Sequence, residues 1–304
     1  MITPVLLLVF NRPEKTARVF EEIRKAQVPV LYIAADGPRP EISGEADLCE
    51  QTRSEVLDNI DWPCELKTLL RTENLGCRSA VSSAIDWFFS EVEEGIILED
   101  DCLPHPDFFR FCSKMLDFYR DNPAIMHICG SNFQLGCKRG AGSYYFSHYA
   151  HIWGWATWRR AWEFYDVKMN KYPDFVKRNA IASIFPRKKE QKRWLELLNY
   201  VYTRNKHFNT WDFQWNFALW SSHGLAIIPN SNLISNIGEN GTHYNTTQYM
   251  FQKLENMDKK ITHPQAIVAD IEADSLTFKN FFDENVLISI MRKIKNVIHN
   301  MPIM

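Results

Sequence analysis

Three consecutive acids, Glu99-Asp100-Asp101, follow the apolar run Ile96-Ile97-Leu98. Carboxylates placed this close repel one another, so they must be solvated or neutralised by a cation. Hard oxygen ligands suit Mg²⁺ or Mn²⁺, which take one or two carboxylates together with substrate phosphates. A solvated acidic turn running into Pro104 accounts for the same residues without any chemistry. Asn74-Leu75-Gly76-Cys77-Arg78 stands just before a helical pattern. Backbone N–H groups and a guanidinium there suit a diphosphate, although simple capping by Asn74 explains the pattern equally. Asp36-Gly37-Pro38 adds an acid able to accept from a base or ribose, or else a plain turn. Trp153-Gly154-Trp155-Ala156-Thr157-Trp158, followed by Arg159 and Arg160, is the densest aromatic patch, and indole faces stack on pyranose rings or fill a core. The spacing 155, 158, 162 is helical and assigns Trp158 and Trp162 to the core. Trp153 and Trp155, flanking a glycine, are the expected wall of a sugar site.

The elements that must position these residues alternate along the first 130 positions. Val5 to Phe10 is a continuous apolar run, as expected of a strand buried on both faces. Asn11-Arg12-Pro13 opens a helix whose buried stripe is Ala17, Val19, Phe20 and Ile23. A strand over Val30 to Ala35, a helix around Leu48 to Leu57, a strand near Leu66 to Leu70, a helix over Arg78 to Phe89 and the strand Ile96 to Leu98 follow. Alternation of this kind argues for a parallel sheet covered by helices, with ligands beyond the carboxyl ends of the strands. From residue 131 the pattern breaks into a Gly136–Gly142 loop, the aromatic stretch 148–162, a charged stretch over 172–206, and a segment over 211–247 without clear period. No Pro/Ser-rich linker intervenes, so one unit with two lobes is expected: residues 1–130, residues 131–260, and a helical extension over 261–304. Val286, Leu287, Ile290, Met291, Ile294, Val297, Ile298 and Met301 share one helical face, with Arg292, Lys293 and Lys295 opposite. Docking on the body, a homodimer contact or peripheral contact with a membrane surface would each use such a face.

Composition removes several function classes. The chain has 304 residues with 35 basic against 37 acidic side chains, a formal charge of -2, so no overall field favours nucleic acid. No apolar run approaches the roughly 20 residues that span a bilayer. The start, Met1-Ile2-Thr3-Pro4, lacks a basic leader, and the seven cysteines form neither CxxC pairs nor a framework. A reduced cytoplasmic location is expected, with a peripheral position at the inner membrane surface as an option. There is no GxGxxG after the first strand, no GxxxxGK[ST] and no HExxH, which disfavours a Rossmann dehydrogenase, a P-loop NTPase and a zinc protease.

Taken in chain order, Phe10-Asn11-Arg12-Pro13, Ala35-Asp36-Gly37, Asn74-Leu75-Gly76 and Ile97-Leu98-Glu99-Asp100-Asp101 resemble the nucleotide-sugar half of GT-A-fold glycosyltransferases. The triplet is similar to the Glu-Asp-Asp form of the DxD motif in the N-acetylglucosaminyltransferase I type. The resemblance implies an α/β fold with a mostly parallel sheet flanked by helices and an aromatic-rich acceptor lobe. It implies that Phe10, Asn11 and Arg12 border the base and ribose pocket, that Asp36 accepts from the base, and that Asn74, Gly76 and Arg78 lie near the diphosphate. Asp101 would coordinate Mn²⁺ or Mg²⁺, with Glu99 and Asp100 bonding the ribose or metal-bound water. In inverting members a late acid is the general base, a place held here by Asp212 in Thr210-Trp211-Asp212-Phe213-Gln214-Trp215. Indoles beside it would raise its pKa by desolvation, while a cap on a helix over 213–220 is the alternative. Several families also supply a late histidine as a metal or phosphate ligand, matched here by His243 in a Gly/Asn-rich loop.

The implied activity is hexosyl or N-acetylhexosaminyl transfer from a nucleotide-diphosphate donor, with UDP favoured by the resemblance. The acceptor would be a glycan or lipid-linked sugar, as in bacterial surface polysaccharide biosynthesis. A sugar-phosphate nucleotidyltransferase and a non-catalytic carbohydrate-binding protein are the two alternatives from other classes. The first normally carries glycines after strand one, which Asn11-Arg12-Pro13 lacks.

Overall fold

Val5–Val9 (β1) is buried at every position, as its unbroken apolar run requires of a central strand. Pro13–Ala26 (α1) follows, with proline in its first turn and Val19, Phe20 and Ile23 on its buried face. The chain continues through Val30–Ala35 (β2), Glu45–Leu57 (α2), Glu65–Leu70 (β3), Gly76–Glu91 (α3), Glu94–Glu99 (β4), Cys102–Pro104 (β5) and Pro106–Phe118 (α4). Then come Ile125–Cys129 (β6), Tyr144–Ser147 (β7), Trp155–Trp158 (β8), Arg159–Trp162 (α5), Tyr172–Lys177 (α6) and Lys188–Thr203 (α7). Asp212–Ser221 (α8), Leu225–Pro229 (β9), Ile234–Asn236 (β10) and Ile271–Phe281 (α9) complete it. This computed structural model describes residues 3–204, 209–238 and 253–283. His243 and the amphipathic face over 286–301 lie outside the described residues.

Eight strands from both halves of the chain make one sheet in the order β3-β2-β1-β4-β8-β6-β9-β7. Pairing is parallel across β3, β2, β1 and β4 and again between β6 and β9, while β8 runs antiparallel to β4 and β6, and β7 to β9. This is the helix-flanked, mostly parallel α/β architecture that the resemblance implies. Side chains alternate across the sheet. Leu7, Ile33, Leu98, Ala156 and Trp158 enter one core, and Leu8, Tyr32, Ala34, Ile97 and Trp155 the other, where α3 and α8 cover them. All seven cysteines are free. Among the described residues no helix is long and apolar enough to cross a membrane.

One expectation is corrected. The helical spacing of Trp155, Trp158 and Trp162 does not reflect one helix: Trp155–Trp158 is strand β8, and only Arg159–Trp162 is helical. Lateral hydrogen bonding of β8 to β4 and β6 decides this, and no local period reports it.

Candidate active site

The chain moves outward from β1 to β2 and β3, then returns to place β4 on the other side of β1. That reversal opens a crevice beyond the carboxyl ends of β1 and β4. Parallel register sets Leu8 beside Glu99, so Phe10, Asn11 and Arg12 leave β1 next to the acidic triplet leaving β4. The Phe10 N–H donates to Asp100 Oδ2 at 3.3 Å. Arg12 Nη1 donates to Asp100 Oδ1 at 3.2 Å and to Asp101 Oδ2 at 2.8 Å. The short ribbon of β5 and β10 brings a third segment in: Asn236 Nδ2 reaches Asp101 Oδ1 at 3.5 Å, and the Ile237 N–H donates to the Asp101 carbonyl at 2.8 Å.

Arg12 does not neutralise three acids. Burial first, then the neighbouring carboxylates, hold Glu99 and Asp100 well above the usual carboxylate range even with that guanidinium in place. Carboxyls held up in this way keep their protons until a cation takes their place, and the oxygen-only donor set suits a hard dication. Among the described residues no three or more His, Cys, Asp and Glu side chains form a metal cluster. Mg²⁺ and Mn²⁺ at a nucleotide need no such cluster, since phosphate oxygens and water complete their shell. The residues present fit a metal that enters with its nucleotide, held by Asp101.

The 73–78 turn is closed in a way the sequence does not predict. Asp36 accepts from the N–H of Gly37 at 3.0 Å, of Leu75 at 3.0 Å and of Gly76 at 3.2 Å. Asn74 ties the turn further, donating to the Gly37 carbonyl and accepting from the Gly76 N–H, and Gly76 itself has a φ of +74°. The Arg78 N–H donates to Asn209 Oδ1 at 2.9 Å. The N–H groups of Leu75, Gly76 and Arg78 thus have protein partners, which corrects the expectation of a backbone cradle for the diphosphate. The Arg78 side chain, in the first turn of α3, remains the candidate contact. Asp36→Ala would remove an acceptor from the N–H groups of Gly37, Leu75 and Gly76 and is expected to lower stability by about 1–3 kcal/mol, measured by urea unfolding. Asn11, for its part, donates to Glu45, a buried acid also paired with Arg39, whose guanidinium lies 5.7 Å from the Phe10 ring centre.

From the other half of the chain, α8 delivers Asp212 as its first residue. The cap position is Trp211, without a side-chain bond, and the Asp212 carboxylate takes first-turn N–H groups, its own and that of Phe213. The Thr210 hydroxyl donates to Asp212 Oδ1. Burial raises Asp212 to about 6, partly offset by its own and the Phe213 N–H. Its charge adds to what holds up Glu99, Cys77 and Tyr165, and Asn209, three residues before it, accepts from the Arg78 N–H, so the start of α8 lies near the start of α3. Tyr165 is an addition with no local signal: its ring stacks on Trp162 at 4.3 Å, and its buried hydroxyl lies by Ser82.

The two tryptophans expected in the wall separate. Trp155 is 0% exposed, enclosed by His127, Trp211 and Trp215 on the face of β8 opposite Trp158. From there it cannot stack on a ligand, which corrects that expectation. Trp153 is half-buried, edge-on to Phe133 at 5.0 Å. His127 belongs to the same core: Trp215 donates to its Nδ1 at 3.0 Å, and its Nε2 meets the His151 carbonyl at 3.0 Å. Burial lowers its pKa to about 3, so it stays neutral.

No protein-family model matches the chain, and no curated protein matches it. Among solved structures, TarS 1-349 of S. aureus is similar over 77% of this chain and 60% of its own, at 10% identity and a TM-score of 0.41. An apo UDP-glucose pyrophosphorylase is similar over 75% of this chain and 90% of its own, at 12% identity and a TM-score of 0.39. HddC from Yersinia pseudotuberculosis is similar over 38% of this chain and 55% of its own, at 16% identity and a TM-score of 0.27. The chain thus spans less than two thirds of the length of HddC and TarS. These TM-scores lie below 0.5, so the chemistry is read from the site's own residues.

Proposed function

We propose that this chain is a metal-assisted glycosyltransferase that moves a sugar from a nucleotide diphosphate to a hydroxyl acceptor with inversion. The observation that carries it is the meeting of two acid sets from opposite halves. Glu99, Asp100 and Asp101 leave β4 at the sheet's reversal, and Asp212 on α8 lies within electrostatic reach of Glu99. The first set suits a metal-bound diphosphate. The second is an isolated base for the acceptor.

Phe10, Asn11 and Arg12 would border the base and ribose, Arg78 the diphosphate, and Trp153 the sugar or acceptor. Asp101 would hold the metal, with Glu99 and Asp100 bonding ribose or water. Mn²⁺ or Mg²⁺ bound there supplies positive charge for the departing diphosphate oxygen. Asp212 takes the acceptor's proton as the hydroxyl oxygen forms its bond to the anomeric carbon. The carbon–oxygen bond to the diphosphate breaks with its electron pair going to that oxygen. A carboxylate raised to about 6 is largely ionised at neutral pH yet basic enough to accept the proton.

Product analysis tests this directly. Incubation with UDP-sugars and Mn²⁺ should slowly release UDP by transfer to water, and faster release should accompany a glycan or lipid-linked acceptor. Pyrophosphate released from a nucleoside triphosphate plus a sugar phosphate would assign nucleotidyl transfer instead. Binding of sugars without release of either product would make the protein a carbohydrate binder. The anomeric proton coupling of the product reads the stereochemistry, and retention would reject inversion.

A further inference from the structure

We propose that Arg12 is a resident counter-cation of the acidic triplet, seated on the Asp101 oxygen that a divalent metal needs and displaced when the metal binds. This rests on the metal-assisted reading of the site. Arginine pairs most strongly with a carboxylate through two parallel N–H bonds. Here a single nitrogen, Nη1, bridges two carboxylates, at 3.2 Å to Asp100 and 2.8 Å to Asp101. That is how a point cation is used.

The two carboxylates are not held alike. Asp100, with its side chain 9% exposed, is also fixed by the Phe10 N–H. Asp101, 15% exposed, has among the described residues only long contacts on its other oxygen, to Asn236 at 3.5 Å and Cys102 Sγ at 3.6 Å. Arg12 is the most open of the three at 31%, so it has a path outward. Asp100 is the fixed end of the bridge and Asp101 the exchangeable end. Gly238 keeps the exchangeable oxygen reachable: a Cβ there would stand 2.4 Å from Asp101 Oδ2.

Charge gives the exchange its direction. With its Nη1 engaged by both Asp100 and Asp101, Arg12 spends its charge inside the triplet and offers little of it to a diphosphate. A dication on Asp101 brings positive charge of its own and frees part of the Arg12 charge for the anionic ligand. Metal and Arg12 therefore compete for one oxygen, and competition is reciprocal.

Titration calorimetry with MnCl₂ alone, on the full chain and on Arg12→Met, decides the matter. The variant should bind Mn²⁺ more tightly, on the order of tenfold, as a typical coupling between competing ligands gives. The difference should persist at about 1 M salt, where the Debye length is about 3 Å and through-space repulsion is screened. Equal or weaker Mn²⁺ binding by the variant, or a difference that vanishes in that salt, overturns the proposal while leaving a metal site. Failure of both proteins to bind Mn²⁺ alone overturns this inference, and failure of wild type to bind Mn²⁺ with UDP present as well overturns the metal reading on which it rests. Should Arg12→Met not fold, Mg²⁺ titration of arginine-labelled wild type replaces it. An Arg12 guanidinium resonance that tracks Mg²⁺ occupancy supports displacement, and one that stays fixed refutes it.

Discussion

Asp101→Ala is expected to abolish metal-dependent nucleotide binding and to leave the fold standing. The carboxylate lies at a strand end and supports no core; its ion pair with Arg12 joins side chains that are 15% and 31% exposed. Arg12 keeps Asp100 as a partner when Asp101 is lost, so the cost to the fold should be on the order of 1 kcal/mol. Loss of a group that merely orients a metal ligand costs roughly 10–100-fold in affinity, so loss of the ligand itself should exceed that. Thermal shift makes the test simple. A ligand at 100 times its dissociation constant stabilises by about 2.7 kcal/mol. Wild type should show such a shift with UDP only when Mn²⁺ is present, and the variant should show none. An undiminished Mn²⁺-dependent shift in Asp101→Ala would remove the metal from that residue.

Asp212→Asn carries the largest expected effect on turnover. Positioned general-base catalysis contributes about 10²–10⁴-fold, and asparagine keeps the shape while removing the base. Transfer should fall by that order with donor affinity unchanged, because Asp212 sits on α8 while the nucleotide residues come from β1 and β4. The pH profile adds a signed check. The base must be unprotonated, and burial raises its pKa to about 6, so wild-type kcat/KM should rise with pH through about 6. The variant should lack that limb. Stability runs the opposite way: the native state holds this proton more tightly than the unfolded chain. The favourable linkage is present at low pH and is lost as pH rises through about 6. Asp212→Asn should therefore be at least as heat-stable as wild type at pH 8. Full turnover in the variant would leave Asp212 a structural acid.

Much of the first half was legible in the sequence. The runs Val5 to Val9 and Ile96 to Leu98 are buried on both faces, and such strands announce themselves as unbroken apolar segments. Their polar ends, Asn11-Arg12 and Glu99-Asp100-Asp101, fall where a parallel sheet gathers ligands. Helix α3 begins at Gly76, two residues ahead of the expected Arg78, because the turn before it closes on Asp36. The second half was not legible by period. Trp155 to Trp158 has a spacing that suits a helix, yet pairing with β4 and β6 makes it a strand. Trp155 then fills the core beside Trp211 and Trp215 and cannot wall a site.

By itself, then, the sequence determined the alternating strands and helices as far as the acidic triplet and where their acids stand, because those facts follow from local pattern and short-range sterics; Cys102–Pro104, Pro106–Phe118 and Ile125–Cys129 came only with the structure. It also carried the aromatic richness of the stretch 148–162, though not its layout. Only the tertiary structure decided what each acid faces. Asp36 faces the backbone of Leu75 and Gly76, Asp101 faces Arg12 from 89 positions away, and Asp212 comes within reach of Glu99. Hydrogen bonds and charge act through space over a few ångströms, and chain order carries no record of which distant segments the sheet brings that close. The same holds for burial, which raises the Asp212 pKa and closes Trp155 away: both are properties of surroundings assembled from separate elements.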